Sequence, residues 1–241
     1  MSATYVIGDI HGALKALQQV IAQLTLQESD QLIFLGDYVN GWSDSAAVIS
    51  YLMALQLQYP CIFIKGNHDE WCESWLRGTI PEYTGLKNGH LATIASYESF
   101  SAKARALHAA FFSNMKDYHV DENNRLFIHS GFAVTPGSIP FNAAMYKDRT
   151  LWEMALTMDE RVIRHPELYP KKLLQFREIF IGHTPTLIYE ESMPMKACNV
   201  YNVDTGAAYR GRLSAMNVDT KEVWQSDWVQ ELYPGEKGRN D

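Results

Sequence analysis

The sequence has few cysteines, no long apolar run and no basic cluster. Cys61, Cys72 and Cys198 are an odd number without CxxC spacing, so we expect buried structural thiols rather than a disulfide framework. No apolar run approaches the ~20 residues that a membrane-spanning helix needs. The opening residues MSATYVIGDIHG lack the basic and apolar segments of a secretory signal. We therefore expect a cytoplasmic protein without membrane contact.

Positive charge is also scarce. The net charge is −7 and the lysines and arginines are scattered, so we expect no nucleic-acid-binding surface, because such a surface needs clustered positive charge. A site for a phosphate group is not excluded, since bound metal ions supply positive charge locally. Hydrophobic residues make up 46% of the chain, and no repeat or linker divides it. We predict a single domain over residues 1–241.

Strands and helices alternate along the first part of the chain, which predicts an α/β fold. Short apolar runs predict strands at 4–7, 32–35, 61–64, 125–129 and 179–182. Three further segments are typical of antiparallel strands, at 199–204, 212–218 and 222–226. Residues 72–118 are predicted to be mostly helical and to form a lid beside the site, and a further helical stretch is predicted near 150–177.

Side chains that bind metals follow five of the predicted strands, each beside a glycine. They are Asp9, His11, Asp37, Asn67, His68, His129 and His183. In open α/β sheets, ligands gather at the carboxyl ends of strands, where loops converge. Carboxylate, imidazole and amide donors suit manganese, iron or zinc. Two such ions about 3.5–4 Å apart can bind both the attacking and the leaving oxygen in a phosphoryl transfer.

Each of these clusters has a simpler interpretation when it is taken alone. An isolated Asp-x-His is usually an incidental surface pair, and His129 alone could be a core histidine whose hydrogen bonds are satisfied. The recurrence of ligand residues after five apolar runs is what favours a metal site at the carboxyl ends of the strands.

In order, the motifs GDIHG (8–12), GDYVNG (36–41), GNHD (66–69), HSG (129–131) and GHT (182–184) resemble those of the calcineurin-like metallophosphoesterases. They are most similar to the bacterial branch of the phosphoprotein phosphatase family, as is the later DTGA (204–207). The resemblance implies a β-sandwich of mixed sheets flanked by helices. It also implies two divalent metal ions, which we expect to be Mn²⁺, with iron or zinc as alternatives.

The resemblance also implies a role for each ligand residue. Asp9 and His11 would hold the first ion, and Asp37 would bridge both ions. The second ion would be completed by Asn67, His129 and His183. His68 would be the general acid that protonates the leaving oxygen, and Asn67 and His68 would contact the substrate.

The sequence departs from the family at Asn40 and Gly41, where phosphoprotein phosphatases carry Asp-Arg. The aspartate normally pairs with the histidine at the position of His68, and a carboxylate stabilises imidazolium. We count Asn40 with Asp37 and His68 as catalytic, but its amide carries no charge. We therefore expect His68 to be a weaker acid and turnover to depend on a good leaving group. Asp69 is a less favoured substitute, because adjacent side chains rarely point the same way.

Both arginines with which the family binds phosphate are missing. Gly41 occupies the position of one, and Met154, after Leu-Trp-Glu, that of the other. Candidate replacements are Arg149, Lys147, Arg210 and His90, of which we retain Arg149 as the substrate-binding candidate, although a solvated surface charge is the simpler interpretation. Trp42 and Trp71 could line the pocket or pack in the core.

Three functions remain open. The leading hypothesis is a two-metal phosphomonoesterase similar to serine/threonine protein phosphatases, in which metal-bound hydroxide attacks phosphorus directly in a phosphorylated protein or small phosphate ester. The second is hydrolysis of a dinucleoside polyphosphate, such as diadenosine tetraphosphate, or of another nucleotide; the loss of both arginines favours it. The third is a weakly active protein that binds a phosphorylated ligand.

Overall fold

Two five-stranded mixed sheets lie at the centre of the structure, a computed structural model that describes residues 2–80, 87–133, 143–158 and 160–240. Within this part of the chain the strands are β1 (Thr4–Ile7), β2 (Gln31–Phe34), β3 (Cys61–Phe63), β4 (Tyr118–Val120), β5 (Arg125–Ile128), β6 (Glu178–Ile181), β7 (Met195–Ala197), β8 (Val200–Asn202), β9 (Ser214–Asn217) and β10 (Val223–Gln225).

Each sheet contains three parallel strands; antiparallel strands lie at one edge of the first sheet and at both edges of the second. The first has the order β10-β9-β1-β2-β3, and β1, β2 and β3 are parallel. The second has the order β4-β5-β6-β8-β7, and β5, β6 and β8 are parallel. Parallel strands end at the same edge of a sheet, so the loops after β1, β2 and β3, and those after β5 and β6, are grouped.

Helices cover the outer faces of both sheets. They are α1 (Leu14–Gln23), α2 (Ser45–Leu55), α3 (Asn67–Leu76), α4 (Asn88–Ser96), α5 (Ala102–Ser113), α6 (Thr150–Leu156), α7 (Glu160–Ile163), α8 (Lys171–Leu174) and α9 (Val229–Leu232). Single 3₁₀ turns occupy Ala143–Lys147, Pro166–Leu168 and Thr186–Tyr189. The predicted α/β sandwich of mixed sheets flanked by helices is confirmed.

Alternation along the central strands builds three apolar layers. Val6 and Phe127 belong to the layer between the two sheets. Ile7 belongs to the layer beneath the helices of the first sheet, and Ile128 to that of the second. Successive residues of a strand point to opposite faces, so strands buried on both faces must be apolar throughout. This is why the central strands are uninterrupted apolar runs in the sequence.

The sheets differ from the predicted strands at β4, which was not predicted, and around β7 and β8. The segment 199–204 was expected to be an antiparallel strand, but β8 lies parallel to β6 and antiparallel only to β7. The short β7 was not predicted. It joins β8 through a tight turn in which Cys198 has φ 53°, a conformation that turn sequences usually reach with glycine or asparagine. Without that signal the hairpin could not be recognised.

The predicted helical stretch near 150–177 consists of short pieces rather than one helix. Pro166 begins a 3₁₀ turn and Pro170 precedes α8. Proline has no N–H to donate and its ring clashes with the preceding turn, so a continuous helix cannot pass through either position. The range 72–118 contains the end of α3 and all of α4 and α5, while 81–86 lie outside the described residues. The role of this range as a lid stays a prediction.

None of the helices in the described part of the chain is long and apolar enough to cross a membrane. The three cysteines are free thiols: Cys72 and Cys198 are buried, and Cys61 is half-buried.

Candidate metal centre

Loops from both sheets converge on a cavity of about 280 Å³ that is lined by predicted ligand residues. Its walls include His11, Asp37, Asn67, His68 and His183. The remaining two predicted ligands lie behind them: Asp9 Oδ2 is 3.8 Å from His11 Nε2, and His129 Nε2 is 3.3 Å from Asp37 Oδ2. The structure therefore brings all the predicted ligand residues to one place, although they are spread over residues 9–183 of the chain.

Asp37 lies at the centre of the group. Its Oδ2 is 3.6 Å from His11 Nε2 and 3.3 Å from His129 Nε2. Two sets of possible ligand atoms, each within 4.8 Å of one another, share this residue: one adds His11 and His68, the other His129 and His183. A carboxylate common to two sets is the arrangement that a bridging ligand requires. Both ring nitrogens of His68 already contact other groups, so this histidine is less available as a metal ligand.

His11 and His129 are each held by hydrogen bonds at Nδ1. Nδ1 of His11 lies 3.0 Å from the carbonyl oxygens of Val39 and Asn40, and Nδ1 of His129 lies 2.8 Å from that of Leu35. A carbonyl can only accept, so Nδ1 donates in both rings, and Nε2 is the nitrogen left to bind a metal ion. Hydrogen bonds of this kind orient metal-binding histidines and select their tautomer.

Several buried donor and acceptor atoms at the site have no hydrogen-bond partner. Among the described residues they include Nε2 of His129, Nδ1 of His183 and Oδ1 of Asn67. Burying a polar atom without a partner costs about 1–3 kcal/mol. These three atoms belong to residues that the resemblance assigns to one ion, so a divalent cation would satisfy all of them. The residues present therefore fit a metal centre.

Negative charge is concentrated in the same place. Asp9, Asp37 and Asp204 are each at most 3% exposed. Burial and the neighbouring Asp204 raise the pKa of Asp9 well above its ordinary value, and burial raises the pKa of Asp204 to about 6. Burial alone would lower the pKa of His129, but the adjacent Asp37 raises it to about 10. The centre attracts positive charge, which metal ions would supply.

The backbone is held in an unusual conformation at four site residues. His11, Asp37, Asn40 and His183 have φ between 50° and 67°, a region that non-glycine residues rarely adopt. Such strain persists only where surrounding contacts impose it, and it is concentrated at functional sites. The loops of the site are also closely packed: a Cβ on Gly66 would collide with Oδ1 of Asp37, so the loop after β3 can approach this carboxylate only with glycine.

Asp69 has a different role from the one considered for it. Its Oδ2 accepts from the backbone N–H groups of Asp37 and Gly66, at 2.7 and 2.8 Å, and its Oδ1 accepts from that of Tyr38, at 2.9 Å. The carboxylate is fully buried and ties the loop after β2 to the start of α3. It is therefore occupied by backbone donors rather than by the His68 ring.

Asn40 takes the place beside His68 that the resemblance assigns to a carboxylate. Its amide group approaches Nδ1 of His68 at 3.0 Å, while Nε2 lies 2.7 Å from Nη1 of Arg239. A guanidinium only donates, so Nε2 must accept and Nδ1 must carry the proton. Nδ2 of Asn40 is the amide atom placed at 3.0 Å, but a protonated Nδ1 needs an acceptor, so the amide must turn to present Oδ1, which also gives this otherwise unpartnered atom a hydrogen bond. Burial lowers the pKa of His68 well below its ordinary value, and Asp37 opposes this only partly.

Basic side chains surround the ligand residues. Lys147, Arg149 and Arg239 line the cavity at the metal centre. Of the other candidate replacements for the missing arginines, His90 and Arg210 line two adjoining cavities. Arg239 and Asp204 were not proposed from the sequence. Asp204 begins a motif that was noted only for its resemblance, and Arg239 lies in no motif.

The two tryptophans pack rather than line the cavity. Trp42 is fully buried, its ring stacks on Tyr233 with centroids 5.3 Å apart, and its Nε1 donates to the carbonyl of Ala207. Trp71 stacks on Trp75 at 6.0 Å. The simpler interpretation, core packing, therefore holds for Trp42, and Trp71 is part of an aromatic cluster.

Comparison with known proteins agrees with this geometry. A family model described as calcineurin-like phosphoesterase matches residues 3–205. The chain is 26% identical to bis(5'-nucleosyl)-tetraphosphatase PrpE (asymmetrical) of Oceanobacillus iheyensis, over 90% of this chain and 89% of that protein. It is also 26% identical to the protein of the same name from Bacillus cereus, over 90% of this chain and 91% of that protein.

Solved structures share the fold. A protein provisionally named a diadenosine tetraphosphatase superposes with a TM-score of 0.65 and 16% identity, over 93% of this chain and 92% of that one. A serine/threonine phosphatase from Saccharomyces cerevisiae superposes with a TM-score of 0.58 and 14% identity, over 93% of this chain and 79% of that one. At these identities the two superpositions establish the fold alone.

Proposed function

The chain belongs to the calcineurin-like phosphoesterase family, and we propose that it hydrolyses the phosphoanhydride chain of a dinucleoside tetraphosphate. Water would add across one P–O–P bond, so that one phosphorus gains the water oxygen and the other fragment leaves as a phosphate oxyanion. Asymmetrical cleavage, as in the name of the similar proteins, yields a nucleoside triphosphate and a nucleoside monophosphate. This reverses the order of the first two hypotheses from the sequence.

The observation that carries the proposal is the number of basic side chains at the metal centre. Lys147, Arg149 and Arg239 line the same cavity as the ligand residues. Two divalent ions against three buried carboxylates would leave about one positive charge, and the basic side chains raise this to about four. A tetraphosphate carries about four negative charges, whereas a phosphate monoester carries about two. The cavity therefore suits the longer anion.

The nature of the leaving group also favours a dinucleoside tetraphosphate over an alkyl phosphate. An alkyl phosphate leaves as an alkoxide, which must be protonated as the bond breaks, whereas a phosphoanhydride leaves as a stable phosphate oxyanion. General acid catalysis is therefore more important for an alkyl ester. His68 pairs with the uncharged amide of Asn40, which cannot stabilise imidazolium as a carboxylate does. A substrate with a good leaving group tolerates this arrangement.

Adjoining cavities offer space for the nucleoside ends. One of about 450 Å³ is lined by Pro185, Leu187, Ile188 and Tyr209, with Arg149 at the border with the metal centre. Apolar and aromatic walls suit a base, because every base has a face that stacks on aromatic rings. Tyr209 also lines the cavity at the metal centre, so one nucleoside can lie beside it while the phosphates extend toward the metal ligands.

The roles of the site residues remain proposals within this mechanism. Asp9, His11, Asp37, Asn67, His129 and His183 would hold two divalent ions, for which we propose manganese. When bound, these ions neutralise phosphate charge and lower the pKa of water toward neutrality. Arg149, Lys147 and Asn67 would bind the phosphate chain. His68 would exchange a proton with the leaving oxygen at Nε2, and Asn40 would hold its ring in place.

The substrate can be tested directly by product analysis. We expect manganese-loaded protein to convert diadenosine tetraphosphate into equal amounts of ATP and AMP, measured by anion-exchange chromatography. The value of kcat/KM should exceed that for a phosphoserine peptide at least about 100-fold, since a few charged contacts at about 1.5–3 kcal/mol each supply that difference.

Other products or substrates would contradict this proposal in distinguishable ways. Formation of ADP alone would mean symmetrical cleavage. Faster turnover of the phosphopeptide would restore the phosphomonoesterase hypothesis. Metal uptake without turnover of either substrate would support a phospholigand-binding protein.

Replacing Asn40→Asp tests the leaving-group explanation. We expect the added carboxylate to raise kcat about 10-fold for an alkyl phosphate, a fraction of what a general acid supplies. The change for diadenosine tetraphosphate should be less than about 3-fold, because its leaving group needs little protonation. Asn123→Asp, in an exposed turn, adds the same charge elsewhere and should change neither rate. An Asn40→Asp protein that gains nothing on alkyl phosphates would refute the explanation.

A further inference from the structure

The segment 233–240 crosses the loop that follows β2 and brings Arg239 to the metal centre. Nη1 of Arg239 lies 2.7 Å from Nε2 of His68, and the residue lines both the cavity at the metal centre and the adjoining one beside His90. Its backbone N–H donates to the carbonyl of Ala208 at 2.9 Å. Arg239 is thus placed at the site by residues far from it in the sequence.

Hydrogen bonds and stacking hold this segment against residues 42–44. The ring of Tyr233 stacks on Trp42, and its hydroxyl donates to Oδ2 of Asp44 at 2.7 Å. The carboxylate of Glu236 accepts from both the backbone N–H and the hydroxyl of Ser43, at 3.0 and 2.8 Å. These contacts begin two residues after Asn40, so the segment and the catalytic loop are fixed to each other.

Gly238 lets the chain pass closely over Trp42 immediately before Arg239. It has φ +56°, and a Cβ there would lie 2.7 Å from Cζ2 of Trp42 and 2.8 Å from the carbonyl oxygen of Ala208. The positive φ and the close approach both favour glycine. The backbone therefore reaches the site by a path that glycine at this position allows.

The loop beneath carries glycine at position 41, where the family that the sequence resembles has arginine. A Cβ on Gly41 would collide with the carbonyl oxygen of His11, so this position excludes a larger residue unless the loop moves. Arg239 supplies a guanidinium to the site, whereas the loop after β2, residues 35–44, contains no arginine.

The guanidinium of Arg239 has unused capacity to bind an anion. Arginine has five N–H donors, and its side chain makes a hydrogen bond to His68. No carboxylate within the described residues forms an ion pair with it. A half-buried guanidinium beside a metal centre, without a carboxylate partner, is suited to a phosphate group, which it can bind through two parallel hydrogen bonds.

On the premise of the phosphohydrolase activity proposed above, we propose that Arg239 is a phosphate-binding residue, delivered to the site by the segment 233–240. In the free protein it donates to Nε2 of His68. When substrate binds, the phosphate oxygens take over donors of the guanidinium, and Nε2 becomes available to the leaving oxygen. The same residue thus binds substrate and covers His68 until substrate arrives.

Phosphate binding by Arg239 can be tested with a matched pair of charge-removing variants. Arg239→Gln removes the guanidinium, and Lys237→Gln removes an equal charge from an exposed position two residues earlier. We expect Arg239→Gln to lower kcat/KM for p-nitrophenyl phosphate about 10- to 100-fold and to weaken inhibition by inorganic phosphate by a similar factor. Lys237→Gln should change both less than about 2-fold. Arg239→Lys should recover part of the loss, because lysine keeps the charge without the fork.

Controls separate binding from folding. Metal content and the thermal unfolding midpoint should be equal in all variants, and calorimetric titration of metal-loaded protein with inorganic phosphate should show the loss of affinity in the absence of turnover. A chain that ends after Glu236 keeps the anchoring contacts of Tyr233 and Glu236, and should reproduce the effect of Arg239→Gln.

The outcomes also distinguish this inference from the proposed substrate. Wild-type protein that cleaves p-nitrophenyl phosphate but not diadenosine tetraphosphate would refute the substrate, and Arg239 could still be tested with phosphate. If the tetraphosphate is cleaved and Arg239→Gln binds phosphate as wild type does, the role of Arg239 is refuted alone. An increase in kcat/KM for Arg239→Gln would mean that the arginine obstructs the cavity, which also overturns the proposal.

Discussion

Replacing Asp37→Asn is expected to reduce phosphoester hydrolysis on the order of 10³-fold or more. Oδ2 of this residue approaches Nε2 of both His11 and His129, and it is shared by two sets of possible ligand atoms. An amide keeps the shape of the side chain but removes the charge that would hold both ions. Losing several kcal/mol of charge stabilisation from the transition state corresponds to a rate effect of this size.

The measurement combines metal content with turnover. Chelator-stripped protein is reloaded with manganese, bound metal is counted by mass spectrometry, and hydrolysis of p-nitrophenyl phosphate is followed. Wild type should bind two ions per chain, and Asp37→Asn fewer. A variant that binds two ions and turns over at the wild-type rate would contradict the bridging role.

Asp30→Asn is a suitable control for this variant. Asp30 is also buried, and it accepts from the backbone N–H groups of Ala3 and Gln27. It lies immediately before β2, whereas Asp37 follows the same strand. Its replacement should lower the free energy of unfolding while leaving metal content and kcat unchanged in the folded protein. A general effect of losing a buried carboxylate would affect both variants alike.

The positions of the proposed ligand residues in the fold could be predicted from the sequence because each follows a local pattern. A central strand is buried on both faces and is therefore apolar throughout, and the residue after its last apolar position begins the loop at the ligand-binding edge of the sheet. Asp37 follows such a run with only Gly36 between them. The same reasoning applies to Asp9 and His183, so the positions of these side chains depend little on distant parts of the chain.

Arg239 could not be predicted in this way. Its contact with His68 joins residues 171 positions apart, and nothing near it in the sequence resembles a strand end or a ligand motif. The relevant signals, Tyr233, Glu236 and Gly238, become meaningful only once their contacts with Trp42 and Ser43 are known. Tertiary contacts of a loop segment have no periodicity to reveal them.

The errors in the fold prediction have a similar origin. The strands β4 and β7 are three residues long, too short to establish an alternating pattern, and they lie at the edges of the second sheet. The pairing of an edge strand depends on the strand beside it more than on its own sequence. The expected direction of β8 was right only toward β7, to which it is antiparallel, and wrong toward β6, to which it is parallel.

Asp69 was singled out because of its position in the sequence, but that position did not reveal its role. It follows His68 directly, which drew attention to catalysis. Its carboxylate instead accepts three backbone N–H groups, those of Gly66, Asp37 and Tyr38. The bond to Gly66 caps the start of α3, since the first N–H groups of a helix have no partner within it. The other two fix the loop that carries Asp37.

Replacing Asp69→Ala is therefore expected to lower the free energy of unfolding by about 3–5 kcal/mol. It leaves three buried donors without an acceptor, each at a cost of about 1–3 kcal/mol, with incomplete additivity. Urea unfolding of metal-free protein measures this loss without a contribution from bound ions. Asp69→Asn keeps one acceptor oxygen and should lose less, whereas Glu70→Ala, one residue further along α3, should stay within about 0.5 kcal/mol of wild type. A loss below about 1 kcal/mol for Asp69→Ala would mean that water replaces the carboxylate, and that the two loops are held together by other contacts.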